Sequence, residues 1–172
     1  MEFIQGREGD FERVNAFYRD VVAYLEEHIN YPEWSDSHPS EEDIMNALRL
    51  GTQYVCTDDG EVIGAVILSE DPEGDYEKGE WTRAIPQGEF LVIHVLATHP
   101  AHMQKGVGKA LVKGCTDVAR AKGYKAVRLD VVPDNHPAVR LYRACGFTYA
   151  GTKDLNRPGV DIPLFDLYEL NL

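Results

Sequence analysis

The chain has 172 residues, 44% hydrophobic and 27% charged, with 17 Lys and Arg against 29 Asp and Glu and a formal net charge of −12. That is enough chain to bury a core without disulfide staples, so residues 1–172 read as one domain. The acidic balance excludes the basic face that nucleic acid requires and argues against docking on an anionic membrane, while it suits a cationic ligand.

Asp10 to Ile29 places Val14, Phe17, Tyr18, Val21, Leu25 and Ile29 at steps of three and four, which predicts a first helix. Tyr31, Pro32, Trp34 and Pro39 mark an irregular aromatic loop. Ser40 is placed to cap a second helix, with Glu41, Glu42 and Asp43 in its first turn and Gly51 at its end. Tyr54–Cys56 and Val62–Leu68, joined by Asp58-Asp59-Gly60, read as a hairpin. Residues 70–80 form a polar loop, and Phe90–Ala97 is an apolar strand suited to the buried centre of a sheet.

Gly106 to Lys122 has helical period and stops at Gly123; Val127, Leu129 and Val131 alternate as a strand. Pro137 opens a further helix that Gly146 closes, and Phe147–Ala150 and Leu164–Leu170 are the last strands. The order is α, α, β-hairpin, β, α, β, α, β, β, an α/β (α+β) domain with a mixed sheet and about four helices. Cys56, Cys115 and Cys145 form no C-x-x-C pair, and Met1–Asp10 has no apolar run, so no leader is expected. Reduced, buried thiols point to the cytoplasm.

Chemistry concentrates after the central strand, in Met103-Gln104-Lys105-Gly106-Val107-Gly108-Lys109-Ala110. Two glycines let backbone approach a ligand, and free N–H groups at a helix start bind anions, so the loop suits a phosphate or pyrophosphate. A Walker A loop is excluded by Met103 and Ala110, and a dinucleotide fingerprint by Leu111. A helix start that binds nothing is the alternative at this point.

The second segment is Asn135-His136-Pro137-Ala138-Val139-Arg140-Leu141-Tyr142-Arg143-Ala144-Cys145-Gly146-Phe147, with the pattern N-x-x-A-x-x-L-Y-x-x-x-G-F. Together the two segments resemble the GNAT superfamily of acyl-CoA-dependent N-acetyltransferases, over about residues 91–147. Met103 departs from that family's pattern, which has Arg or Gln there. The resemblance implies acetyl-CoA as acyl donor and a primary amine of a small molecule or peptide as acceptor. It implies that the N–H groups of Gln104, Lys105, Gly106, Val107, Gly108 and Lys109 hold the pyrophosphate. It implies too that the strand around His94–Ala97, through the backbone of Leu96 and Ala97, pairs with the pantetheine arm and polarises the thioester. Asn135 falls at the position that contacts pantetheine or the next turn, and Lys105, Lys109 and Arg143 near the outer phosphates.

Tyr142 matches the tyrosine that protonates the departing thiolate. Asp130 stands where some relatives carry a basic glutamate, with Glu89, His94 and water as rivals. For the acceptor side, Tyr31, Trp34, Tyr76 and Trp81 are candidate pocket walls, with the acid-rich run Glu70–Glu80 at the mouth; scattered packing aromatics are the alternative. No metal site is expected, because His94, His99 and His102 share no face. A non-catalytic acyl-CoA-binding module on the same scaffold is the competing function. The final strand offers a homodimer edge, with a monomer as the alternative.

Overall fold

A computed structural model describes residues 1–172. The chain runs β1 (Glu2–Gln5), α1 (Phe11–Glu27), α2 (Glu41–Leu50), β2 (Gln53–Asp58), β3 (Glu61–Ser69), β4 (Phe90–Thr98), α3 (Val107–Ala121), β5 (Ala126–Val131), α4 (His136–Ala144), β6 (Thr148–Lys153) and β7 (Phe165–Asn171). Seven strands form one mixed sheet in the order β1-β2-β3-β4-β5-β7-β6, so the final strand, expected as a homodimer edge, is instead paired on both sides, by β5 and β6. The expected fold class, a mixed sheet with four helices, is the one observed. No helix is long and apolar enough to cross a membrane.

Two compact units divide the chain: Met1–Leu68 with Val95–Gly114, and Ser69–His94 with Cys115–Leu172. In the first, Val14, Phe17, Tyr18 and Val21 of α1 pack with Ile44 and Leu48 of α2 over Val55, Ala65 and Ala97 of the strands. Their spacing of three and four is what makes α1 amphipathic; each such buried side chain stabilises by about 1.5–3 kcal/mol. The helix ends at Glu27, so Ile29, expected on its apolar face, instead lies exposed in the following loop.

Ser40 caps α2 reciprocally with Asp43: the Asp43 N–H donates to Ser40 Oγ at 3.0 Å, and the Ser40 N–H to Asp43 Oδ2 at 2.9 Å. The β2–β3 hairpin turns at Asp59 and Gly60, both at positive φ.

β1 is an addition to the expected order. It pairs antiparallel with β2, stacking Phe3 on Tyr54 at 5.2 Å, while a side chain at Gly114 would collide with the Phe3 ring. Only Phe3 among its four residues is turned inward, too short an alternation to read.

In the second unit, β4 and β5 pair in parallel from Phe90↔Ala126 to Ile93↔Leu129, and β5, β7 and β6 continue antiparallel. Tyr76, Phe90, Val92, Ala126, Leu155, Phe165 and Leu167 form its core. The polar loop after β3 therefore carries one fully committed core residue, Tyr76.

Candidate active site

In the first unit, β4 leads into the glycine-rich turn. Val95 has φ 43, a left-handed conformation that a β-branched side chain adopts only under constraint. The constraint is visible. The buried Tyr18 hydroxyl donates to Val95 O at 2.9 Å, and Gln53 Nε2 donates to the Tyr18 oxygen at 3.4 Å. Burial pushes the Tyr18 phenol well above its ordinary pKa, so it stays a donor. Beyond the kink, Leu96 is half-buried and Ala97 joins the core.

Met103 to Gly106 is exposed backbone, with Gln104 at φ 61 and Gly106 at φ 81. Alternation of left- and right-handed residues turns successive N–H groups to one side. Residues 103–106 form a turn that runs into α3, whose N-terminal bond is donated by the Ala110 N–H to Gly106 O at 3.0 Å. Lys105 reaches back to Ala101 O at 3.1 Å, and Lys109 is exposed.

The second unit holds Tyr142, Asn135, Asp130, Glu89 and His94. Asn135 caps α4, its Oδ1 accepting from Ala138 N at 3.3 Å. Tyr142 is 7% exposed, tilted against Phe147, and its hydroxyl makes no hydrogen bond. Burial, then the neighbouring Cys115 and Asp130, pushes its pKa well up, so the phenol holds its proton. Arg143 is exposed, its guanidinium 6.0 Å from the Tyr168 ring.

Asp130 is already engaged. Its two oxygens accept from Arg157 Nη1 and Nη2 at 2.7 and 2.6 Å, and Oδ2 accepts from the Tyr76 hydroxyl at 2.5 Å. Both of its oxygens are thus committed to fixed donors within the second unit. Glu89 pairs with Lys125 at 2.9 Å, at the far end of the β4–β5 ladder. At a strand's rise per residue it stands about 16 Å along the sheet from Asp130. The two carboxylates are not brought together. His94 is held with Nε2 2.7 Å from Asp71 O and Nδ1 3.6 Å from Glu73 Oε2.

Among the aromatic residues, Tyr76 and Trp81 meet at 5.6 Å and wall a cleft of about 580 Å³. Tyr31 and Trp34 belong to the first unit, where Trp34 packs edge-on to Tyr18 at 6.3 Å. Sequence reasoning missed two residues in the second unit. Arg157 holds Asp130, and Arg128 lies buried in the cleft wall. The alternation of Val127, Leu129 and Val131 could have flagged Arg128 as sharing a face with Asp130; nothing local marks Arg157.

The model of the acetyltransferase (GNAT) family matches residues 17–147. Streptothricin acetyltransferase of Streptomyces lavendulae is 36% identical over 61 residues, 36% of this chain and 32% of that protein. L-methionine sulfoximine/L-methionine sulfone acetyltransferase of Salmonella typhimurium is 33% identical over 70 residues, 41% of this chain and 40% of that protein. The chain thus spans less than half the length of these curated relatives. The solved structure of yncA from Salmonella typhimurium, with its cofactor acetyl-CoA, superposes with TM-score 0.71 at 19% identity, covering 100% of this chain and 94% of that one.

Proposed function

The chain belongs to the acetyltransferase (GNAT) family, and on that premise we propose that it is an N-acetyltransferase moving acetyl from acetyl-CoA to a primary amine of a small molecule or peptide. The observation that carries the reading is the exposed turn at residues 103–106, with Gln104 and Gly106 at positive φ, opening directly onto the N-terminus of α3. A helix start of this kind suits an anion such as a diphosphate, and a related fold is solved with acetyl-CoA. We read residues 1–172 as one domain of this kind. We place it in the cytoplasm, where its three free cysteines stay reduced.

When bound, acetyl-CoA supplies an acyl group activated as a thioester. The Gln104–Lys109 amides hold its diphosphate, with Lys105, Lys109 and Arg143 for the outer phosphates. The backbone of Leu96 and Ala97, beyond the kink that Tyr18 secures, aligns the carbonyl for attack. As the C–N bond forms and the C–S bond breaks, the Tyr142 hydroxyl gives its proton to the thiolate. Burial raises its pKa, so the phenol enters the reaction protonated, while the same shift makes it a weaker acid toward the thiolate.

For the amine's proton, His94 is the proposed acceptor, directly or through water. Asp71 O can only accept, so His94 Nε2 carries a hydrogen, and Nδ1, 3.6 Å from Glu73 Oε2, is the nitrogen that would take up the amine's proton, Glu73 then pairing with the imidazolium. Asp130 and Glu89 are both committed to cations.

The test is release of free thiol from acetyl-CoA across a panel of amines, with acetyl-CoA affinity measured on the same sample. Tyr142→Phe should keep acetyl-CoA affinity and lower kcat by roughly 10²-fold or more. Affinity without amine-dependent thiol release would make the protein a binding module instead.

A further inference from the structure

The cleft beside Tyr76 and Trp81 contains a charged group that acetyl transfer leaves unused. Arg128 is 2% exposed, on the central strand β5. Its guanidinium carbon lies 4.2 Å from the centre of the Trp81 ring and 4.4 Å from that of Phe90. Only Nη2 is hydrogen-bonded, donating to Arg83 O at 2.9 Å, and Nε has no partner. Buried cations are otherwise paired and bonded, since loss of water must be repaid by fixed partners.

Glu169 faces Arg128 directly across the β5–β7 ladder without bonding it. Its Oε1 accepts from the N–H of Thr82 at 2.9 Å and from the Thr82 hydroxyl, and its Oε2 has no partner. Burial pulls the pKa of Arg128 below its ordinary value, and the charge of Glu169 pulls it back up.

The cleft around this group, about 580 Å³, combines apolar surface from Tyr76, Trp81, Ile85 and Phe90 with two cations, Arg83 and Arg128, against one carboxylate, Glu77. With Glu169 behind Arg128 the charges around the cleft balance, which still stands out in a chain of net charge −12. We propose that this cleft binds a small carboxylate with an aromatic or apolar body, whose oxygens take the free N–H groups of Arg128. The two rings hold the guanidinium in place, and a planar fork of donors fits a carboxylate better than any neutral group. The apolar wall covers the rest of the molecule. The site goes beyond the acetyl-transfer reading and stands or falls separately, because binding is read without acetyl-CoA.

The experiment titrates phenylacetate and its neutral counterpart phenylacetamide into the full chain by calorimetry. The acid should bind saturably and at least about tenfold tighter than the amide, as for a charge-assisted pair. Arg128→Met should erase that preference. Ala84→Glu, at an exposed position of the cleft lining, should weaken the acid by a similar factor while leaving the unfolding transition in place. It keeps the test open if Arg128→Met fails to fold. Competition between phenylacetate and the amine acceptor would assign the carboxylate to the acceptor itself; binding without competition would assign it to a separate effector. Equal affinities for acid and amide, no saturable binding of either, or unchanged acid binding in a folded Arg128→Met protein would each overturn the site.

Discussion

In the second unit Arg128 is buried and Arg157 half-buried, both lie against aromatic rings, and their surroundings treat them in opposite ways. Arg157 donates from Nε to Glu73 O at 2.5 Å, from Nη1 to Asp130 Oδ1 at 2.7 Å, and from Nη2 to Pro72 O at 3.1 Å and Asp130 Oδ2 at 2.6 Å. Arg128 makes one hydrogen bond. Asp130 follows Arg128 by two places on β5, so both project from one face of the strand. On that one face, a cation with every nitrogen bonded ties loops together, and a cation with spare donors is left for something else. Burial alone therefore does not separate a structural arginine from a binding one; the count of satisfied donors does.

The sharpest way to break this contrast is Arg157→Met. It leaves the Asp130 carboxylate buried with only the Tyr76 hydroxyl, and frees the Pro72 and Glu73 carbonyls. Removing one partner of such a pair costs about 3–5 kcal/mol, because the remaining charge stays desolvated. Denaturant unfolding should show that loss. A change within about 1 kcal/mol would mean that the loop relaxes to give Asp130 water, and that Arg157 is no more structural than Arg128.

A smaller effect is expected from Tyr76→Phe, which removes the third bond to Asp130 and keeps the ring. A hydrogen bond to a charged acceptor contributes about 1.5–3 kcal/mol. The pH dependence adds a separate signature. Burial first, then the charge of Asp130 and the bond donated to it, raises the Tyr76 pKa well above 10.0. Unfolded tyrosine releases its proton near 10.0 while the folded one keeps it, so above that pH the folded state binds more protons and stability falls as pH rises. Tyr18 and Tyr142 shift the same way. Unfolding midpoints from about pH 9 to about pH 11 should therefore decline, and decline less steeply in Tyr76→Phe. An identical slope in the variant would show that Tyr76 already ionises normally.

What the sequence made legible is what depends on local pattern. The apolar spacing of α1, the Ser40–Asp43 cap, the Asp59-Gly60 turn and the glycines that end α2 and α3 act over a few residues each. The turn at Gly106 and Gly108 was readable for the same reason, since a helix start after a buried strand is a local arrangement. Tyr142 needed the resemblance, because alone it is one tyrosine on an apolar helix face. The state of Asp130 was not legible. Its cation arrives 27 residues later, in a stretch, Asn156-Arg157-Pro158-Gly159, whose composition signals only a turn. Arg128 was hidden by a different limit. Alternation sorts β5 into two faces and says nothing of which segment will cover the polar one; here Trp81 covers it.

The smallest effect is expected where the contrast is most delicate, in the double variant Arg128→Met with Glu169→Gln. Met keeps an apolar stem against Trp81 and Phe90. Gln keeps an oxygen for the Thr82 N–H and hydroxyl. The variant removes two buried charges that are not joined to each other, so the relief of their desolvation offsets the single hydrogen bond lost to Arg83 O. Replacing buried charges together is often neutral, and stability should stay within about 1 kcal/mol of the parent. A loss of several kcal/mol would show that Arg128 is held as firmly as Arg157, most simply by water bridging its Nε to Glu169 Oε2. Its donors would then already be spent, and no carboxylate could claim them without displacing that bridge.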